Sequence, residues 1–156
     1  MSEDKIVVRN IKWNEHPVIF QIFELNSPFF DASQKETLVD FLDKNRKNYN
    51  VIEVDGQVIG GGGYNISFTK TAFISWMLIH PHFQNKGFGS LMLKQFIFEI
   101  EKSKKALTIE ALTSQHNPWF FQKFGFTLKD VRENFWGEGL HLHKMQKTLV
   151  FKKRKF

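Results

Sequence analysis

QNKGFGS, residues 84–90, separates WMLIHPHF from LMLKQFIFEI. The first flank has the aromatic and aliphatic content of a buried strand. The second repeats Leu93, Phe96, Ile97 and Ile100 at threes and fours, the apolar face of a helix, with Lys94, Gln95, Glu99 and Lys102 left to face water. Two glycines one residue apart at a strand-to-helix junction remove Cβ atoms where successive amides emerge. The helix start adds unpaired N–H groups and the positive end of the helix dipole. Such a turn can seat a phosphate or pyrophosphate, with Lys86 adding a point charge and Gln84 a hydrogen bond near the turn. The competing reading is glycine used for turn geometry alone. Neither GxxxxGK[ST] nor GxGxxG is present, which excludes the P-loop and the dinucleotide fingerprint.

Outward from the junction, the chain alternates strand and helix patterns. Lys5–Ile11 reads as a strand, and Glu15–Leu25 as a helix through Val18, Ile19, Ile22 and Phe23. Ser33 with Glu36 forms a capping box for a second helix that turns Leu38, Val39, Phe41 and Leu42 inward. Asn50–Val54 and Val58–Gly62 flank Asp55-Gly56, the signature of a hairpin turn. The four glycines Gly60–Gly63 end that hairpin with no helix after them, which marks a bulge or a close backbone approach. Thr71–Ile79 reads as a central strand and Ser90–Lys102 as the helix already described. Ala106–Leu112 is a strand, Asn117–Phe124 a short aromatic helix closed by Gly125, and Phe126–Arg132 and Leu140–Lys147 are the last strands. A strand–helix–strand crossover implies one parallel pairing. The expected class is α/β, with a mixed, mostly antiparallel sheet flanked by helices.

Bulk properties narrow the function classes. The chain has 156 residues, the length of one domain, and 18 phenylalanines provide core material. The expectation is a single domain, 1–156, with a short basic tail at 152–156. Formal charge is +6, but Lys152, Lys153, Arg154 and Lys155 carry four of those charges, so no basic groove for nucleic acid is indicated. Cysteine is absent, which rules out disulfides and thiolate metal sites and suits a reducing cytoplasm. The N-terminus lacks a signal-peptide pattern, and no run of 18 apolar residues suggests a membrane span. His80 and His82 straddle Pro81, and His141 and His143 share a strand face, but no third ligand is indicated at zinc spacing. No metal is expected.

Directly after the strand pattern LTIEAL comes SQHNPWFFQKFGF, residues 114–126. With it, the chain resembles the GNAT superfamily of acyl-CoA-dependent N-acyltransferases over roughly residues 5–150. Gln84-Asn85-Lys86-Gly87-Phe88-Gly89 is similar to that family's Q/R-x-x-G-x-G/A loop, and Phe120, Lys123, Gly125 and Phe126 fit its later aromatic element. The resemblance implies that amides of Gln84, Asn85, Lys86, Gly87, Phe88, Gly89 and Ser90 hold the coenzyme A pyrophosphate. It also implies that the pantetheine arm runs beside Met77, Leu78 and Ile79, where neighbouring strands splay. Acetyl-CoA is then the co-substrate, and the acceptor is an amine on a small molecule or peptide, in a monomer or homodimer. Two positions depart from the pattern: Ser114 stands where the family often has a cofactor-binding Asn, and Phe121 where it often has the Tyr that protonates the leaving thiolate. The alternative is an inactive acyl-CoA-binding or sensing domain.

N-acylation needs a polarised carbonyl, an uncharged amine and a base. Strand amides near Leu78 can polarise the carbonyl. Glu110, Glu53 and His116 are candidate bases, and His116 can also replace the missing tyrosine as acid. Trp13, Trp76, Trp119 and Trp136 read as core or acceptor-pocket lining. Asp31, Glu36, Asp40 and Asp43 can draw in a cationic amine, although charges on helices are ordinarily just solvated.

Overall fold

The computed structural model describes residues 5–26, 32–114 and 117–150. Its elements are β1 (Ile6–Asn10), α1 (His16–Leu25), α2 (Ala32–Asn45), β2 (Tyr49–Val54), β3 (Gln57–Ile66), β4 (Thr71–Ile79), α3 (Phe88–Ser103), β5 (Thr108–Ser114), α4 (Pro118–Gln122), β6 (Thr127–Gly137) and β7 (Leu140–Thr148), with short 3-10 turns at Trp13–Glu15, Arg46–Asn48 and Pro81–Phe83. The strands hydrogen-bond in the order β1-β2-β3-β4-β5-β7-β6, a seven-stranded sheet. β1–β2, β2–β3, β5–β7 and β6–β7 pair antiparallel, while β4 runs parallel to β5. The expected mixed α/β sheet is what the chain forms. α3 starts two residues before the expected Ser90, so Gly89 lies inside its first turn.

Contacts divide the chain into two compact units, Met1–Asn65 with Trp76–Phe98, and Ile66–Ser75 with Glu99–Phe156. In the first, Ile19, Ile22 and Phe23 of α1 and Leu38 and Leu42 of α2 cluster with Tyr49, Val51 and Leu78 from the strands. Full burial of each such side chain contributes on the order of 1.5–3 kcal/mol. The Asp55-Gly56 turn has both residues left-handed, φ 50° and 84°, as a tight hairpin requires. Opposite Ile52 and Glu53 the β3 register skips Ile59, the bulge expected beside the glycine run.

All four of those glycines are buried, and each faces something that leaves no room for a side chain. A Cβ on Gly60 would lie 2.5 Å from the Leu78 carbonyl oxygen, and one on Gly62 2.9 Å from Met77 Cγ and 3.0 Å from Met92 Sδ. On the alternate positions, a Cβ at Gly61 would meet Tyr49 Cε1 at 2.7 Å and one at Gly63 would meet Tyr49 Cδ2 at 2.9 Å. The run therefore marks close approach on both faces of β3.

In the second unit, Ile109 and Ala111 of β5 are buried, as are Phe126, Leu142 and Met145. The parallel register runs from Thr71↔Thr108 to Ile74↔Ala111, and both strands continue beyond it, to Ile79 and to Ser114. Gly125 has φ 88° and closes α4 as expected, with Lys147 Nζ donating to the Phe124 carbonyl at 2.8 Å. β6 is an exposed edge strand carrying Lys129, Asp130, Arg132 and Glu133, charges that oppose edge-to-edge pairing. Two tryptophans depart from the expected core role. Trp13 is 72% and Trp119 53% exposed, and each carries a cation over its ring, Arg46 at 5.5 Å and Lys123 at 4.7 Å. The Ser33 side chain, Asp31 and the 152–156 tail lie outside the described residues.

Glu53, a candidate base on sequence, is committed elsewhere. Arg9 makes a two-pronged contact with Glu15, Nη1 to Oε1 at 2.8 Å and Nη2 to Oε2 at 2.6 Å, and reaches Glu53 Oε1 at 3.3 Å. The Arg9 hydrogen bond holds the Glu15 carboxyl below its ordinary 4.5. Because the folded value is the lower one, this pair stabilises the fold above the unfolded value, and the contribution fades as pH falls through the folded value. Urea melts between pH 6 and pH 3 should show stability declining below about 4.5, and Glu15→Gln should flatten that decline. An unchanged acid limb in Glu15→Gln would place the acid sensitivity in another carboxylate.

Candidate functional site

The junction is built within the first unit. β4 ends at Ile79, and the His80 amide donates to the Ile59 carbonyl at 2.8 Å, pinning the exit to β3. Pro81–Phe83 makes one 3-10 turn. Asn85 then takes φ 61° and Gly87 φ 88°, two left-handed residues around Lys86. Such alternation turns successive amides toward one side, which is how backbone nests form. α3 follows, and its first helical bond is Leu91 N–H to the Gly87 carbonyl at 3.1 Å. The amides of Phe88, Gly89 and Ser90 precede that bond and have no intrahelical acceptor.

Gln84 makes the hydrogen bonds expected of it near the turn, and makes them within the protein. Its Nε2 donates to the Ile79 carbonyl at 2.9 Å and to Asn26 Oδ1 at 2.8 Å, so both of its N–H bonds serve the protein. Asn26 Nδ2 donates to the same Ile79 carbonyl at 3.2 Å and to the Ile22 carbonyl at 2.8 Å. Side chains from the loop and from the end of α1 thus fix the last carbonyl of β4. Asn26 was not singled out in the sequence, and nothing local to it could have shown this.

Electrostatics and exposure suit an anion. Residues 84–87 are exposed, and a Cβ on Gly87 would meet nothing within 4 Å. Lys86 Nζ stands 5.6 Å from the centre of the Phe83 ring, and that ring lies 6.1 Å from Phe88. Exposed left-handed loop, unbonded first-turn amides and a lysine therefore lie on seven consecutive residues. The fit to a pyrophosphate is good.

Met77, Leu78 and Ile79 lie just before this loop, with Leu78 buried and its neighbours half-buried. Trp76 precedes them with φ 57°. Left-handed backbone at a bulky residue inside a strand is a genuine outlier. The Tyr49 hydroxyl donates to the Trp76 carbonyl at 3.1 Å.

In the second unit, Glu110 sits in the middle of β5 and is 9% exposed. Its Oε1 accepts from Gln146 Nε2 at 3.2 Å, and Oε2 lies 3.5 Å from Lys144 Nζ, both on β7. It is a buried, engaged carboxylate rather than a solvated strand end. Ser114 ends β5 opposite Leu142, and its side chain lies outside the described residues. His116 also lies outside them. Phe121 is buried in α4, with ring centres 5.1 Å from Phe120 and 5.5 Å from Phe126. Among the described residues, no group of three or more His, Asp or Glu is placed to hold a metal ion, and no helix is long and apolar enough to cross a membrane.

Residues 45–128 match the acetyltransferase (GNAT) domain family. A curated relative, the [ribosomal protein bS18]-alanine N-acetyltransferase of Haemophilus influenzae, is 36% identical over 59 residues, 37% of this chain; the match spans 40% of that relative's length. The crystal structure of the ribosomal-protein-S18-alanine N-acetyltransferase from Escherichia coli superposes with a TM-score of 0.80 at 14% identity, covering 97% of this chain and 100% of that one. The structure of yncA from Salmonella typhimurium with its cofactor acetyl-CoA gives 0.75 at 20% identity and 96% of both chains. At such identities the two structures establish the fold.

Proposed function

Because the chain belongs to the GNAT acetyltransferase family, we propose that it transfers an acetyl group from acetyl-CoA to a primary amine by direct attack in a ternary complex. The observation that supports this best is the 84–90 loop, where left-handed Asn85 and Gly87 lead into the free amides of α3. In this reading the amides of residues 84–90, chiefly Phe88, Gly89 and Ser90, hold the pyrophosphate, and Lys86 adds charge. The backbone of Met77–Ile79 lies along the pantetheine arm, and its N–H groups polarise the thioester carbonyl. Ser114 and Phe121 complete the cofactor contacts.

The chemistry follows from those contacts. The amine lone pair attacks the carbonyl carbon, a C–N bond forms, and the C–S bond breaks with its electrons left on sulfur. The proton lost by nitrogen goes to a base, and the thiolate takes one from an acid or from water. Glu110 and His116 are the residues assigned to this proton traffic. A thiol of ordinary pKa near 8.5 leaves with moderate ease, so the absent tyrosine does not preclude turnover.

The acceptor panel should span protein N-termini, including an N-terminal alanine peptide as in the named relatives, together with small amines and aminoglycosides. Helix α2 offers only weak steering of cations, since Lys44 already pairs with Asp40 at 3.1 Å. A reducing cytoplasm, a monomer or homodimer state and independence from membranes and nucleic acid complete the reading.

Calorimetry with acetyl-CoA, followed by release of free thiol across the panel, tests it. Absence of acyl-CoA binding would overturn it. A second reading, a CoA-binding domain without turnover, draws on Phe121 lacking a hydroxyl and Glu110 being occupied by Gln146 and Lys144. Tight binding without thiol release on any amine would select that reading.

A further inference from the structure

The Tyr49 phenol is fully buried, 0% exposed, at the start of β2, and burial pushes its pKa far above the usual phenol range. It stays neutral at every working pH, so it is a fixed O–H donor rather than a proton source. Its ring lies over Gly61 and Gly63 of β3, which lack the side chains that would displace it. Passing over those glycines, the hydroxyl reaches the Trp76 carbonyl on β4, 27 positions along the chain. The glycine run is thus the window through which β2 touches β4.

What it touches is the left-handed residue of β4. Holding a bulky residue at positive φ costs on the order of 1–3 kcal/mol and persists only where the surroundings enforce it. The Trp76 ring, 6.1 Å from Phe23 of α1, anchors one side of the distortion, and the Tyr49 hydroxyl anchors its carbonyl. A trans peptide holds its C=O and the next N–H antiparallel. Fixing the Trp76 carbonyl on the phenol therefore fixes the Met77 N–H in the opposite direction, away from the phenol.

We infer that Tyr49 is a positioning residue for acyl transfer: through the Trp76 carbonyl it aims the Met77 N–H at the thioester carbonyl. The inference rests on the cofactor placement above and adds to it the device that sets the donor's direction. It also gives the glycine run a role in the chemistry, because any side chain at Gly61 would evict the ring.

Tyr49→Phe removes one oxygen and keeps the ring. Amide spectra of ¹⁵N-labelled protein, titrated with acetyl-CoA and separately with CoA, read the effect without knowledge of the acceptor. In the unsubstituted protein, Gly87 and Gly89 amides should shift with both ligands, and Met77 should respond to the acetyl form specifically. In Tyr49→Phe the glycine shifts should remain and the acetyl-specific Met77 response should vanish. Turnover should fall by roughly 10–100-fold, part of the 10²–10³ that a lost carbonyl donor costs, with KM for acetyl-CoA little changed and the shape of the pH–rate profile preserved. Gly61→Ala, which displaces the same ring, should reproduce the pattern if Tyr49→Phe is poorly folded. Persistence of the acetyl-specific Met77 shift in folded Tyr49→Phe would overturn this inference alone. No glycine-loop shift in the unsubstituted protein would overturn the cofactor placement and the inference together.

Discussion

Gly89→Val is expected to weaken acetyl-CoA binding by roughly 10–100-fold while changing stability by less than about 1 kcal/mol. Two physical facts separate the effects. Gly89 lies in the first turn of α3 and is absent from the residues of positive φ, so its backbone is one that any residue adopts. Valine is no worse than glycine as a helix former, so the helix itself has little to lose. The amide that glycine leaves open, however, precedes the first helical bond and is free to meet an anion. A branched side chain there obstructs the approach to a group whose charge-assisted hydrogen bonds are each worth about 1.5–3 kcal/mol. Desulfo-CoA should lose the same affinity, since the phosphates are what the loop reads.

Gly87→Val supplies the contrast. Sequence reasoning treats the two glycines alike, but Gly87 has φ 88° and a Cβ there would point into open space. Its substitution strains the turn even without ligand, so binding and stability should fall together. Calorimetry with CoA and a urea melt on each variant give the comparison. Normal binding by a folded Gly89→Val would put the anion site elsewhere.

That difference between two neighbouring glycines shows where sequence reading stops. The junction itself was legible because strand patterning, glycine chemistry and helix periodicity are all local signals. Which glycine lies inside the helix depended on where α3 nucleates, two residues earlier than the apolar repeat suggests. The Asp55-Gly56 turn, the Gly125 cap and the close approach at Gly60–Gly63 were readable for the same local reason: glycine answers to backbone geometry. What lay across the gap was not readable. Nothing in TAFISWMLI announces a left-handed Trp76, because the distortion is held by a tyrosine on β2 and by packing against Phe23. Likewise, an apolar strand with one glutamate marks Glu110 as unusual, but only the β5–β7 register brings Gln146 and Lys144 to it. Gln84 was expected near the turn, yet its partner Asn26 is 58 residues away in sequence.

Proton transfer carries the second large effect. With Phe121 offering no hydroxyl, the proposed division of labour is Glu110 as base for the amine and His116 as acid for the departing thiolate. Each of Glu110→Gln and His116→Gln should then cut turnover by roughly 10²–10⁴-fold, the usual worth of a positioned acid or base, with acetyl-CoA affinity nearly unchanged. Glu110→Gln carries a structural cost as well, because it takes the carboxylate from Lys144, while a glutamine amide can still pair with Gln146. A melt on that variant separates lost stability from lost chemistry. Phe121→Tyr in the His116→Gln background is the complementary test: an O–H beside the sulfur should recover part of the lost rate, provided the packing of Phe120 and Phe126 around it accepts the extra oxygen. Loss of turnover in Glu110→Gln alone would assign the protein's proton chemistry to β5 and leave His116 structural. Full activity in both variants would mean that water takes the amine proton, and that catalysis comes from positioning and from the backbone donors of β4.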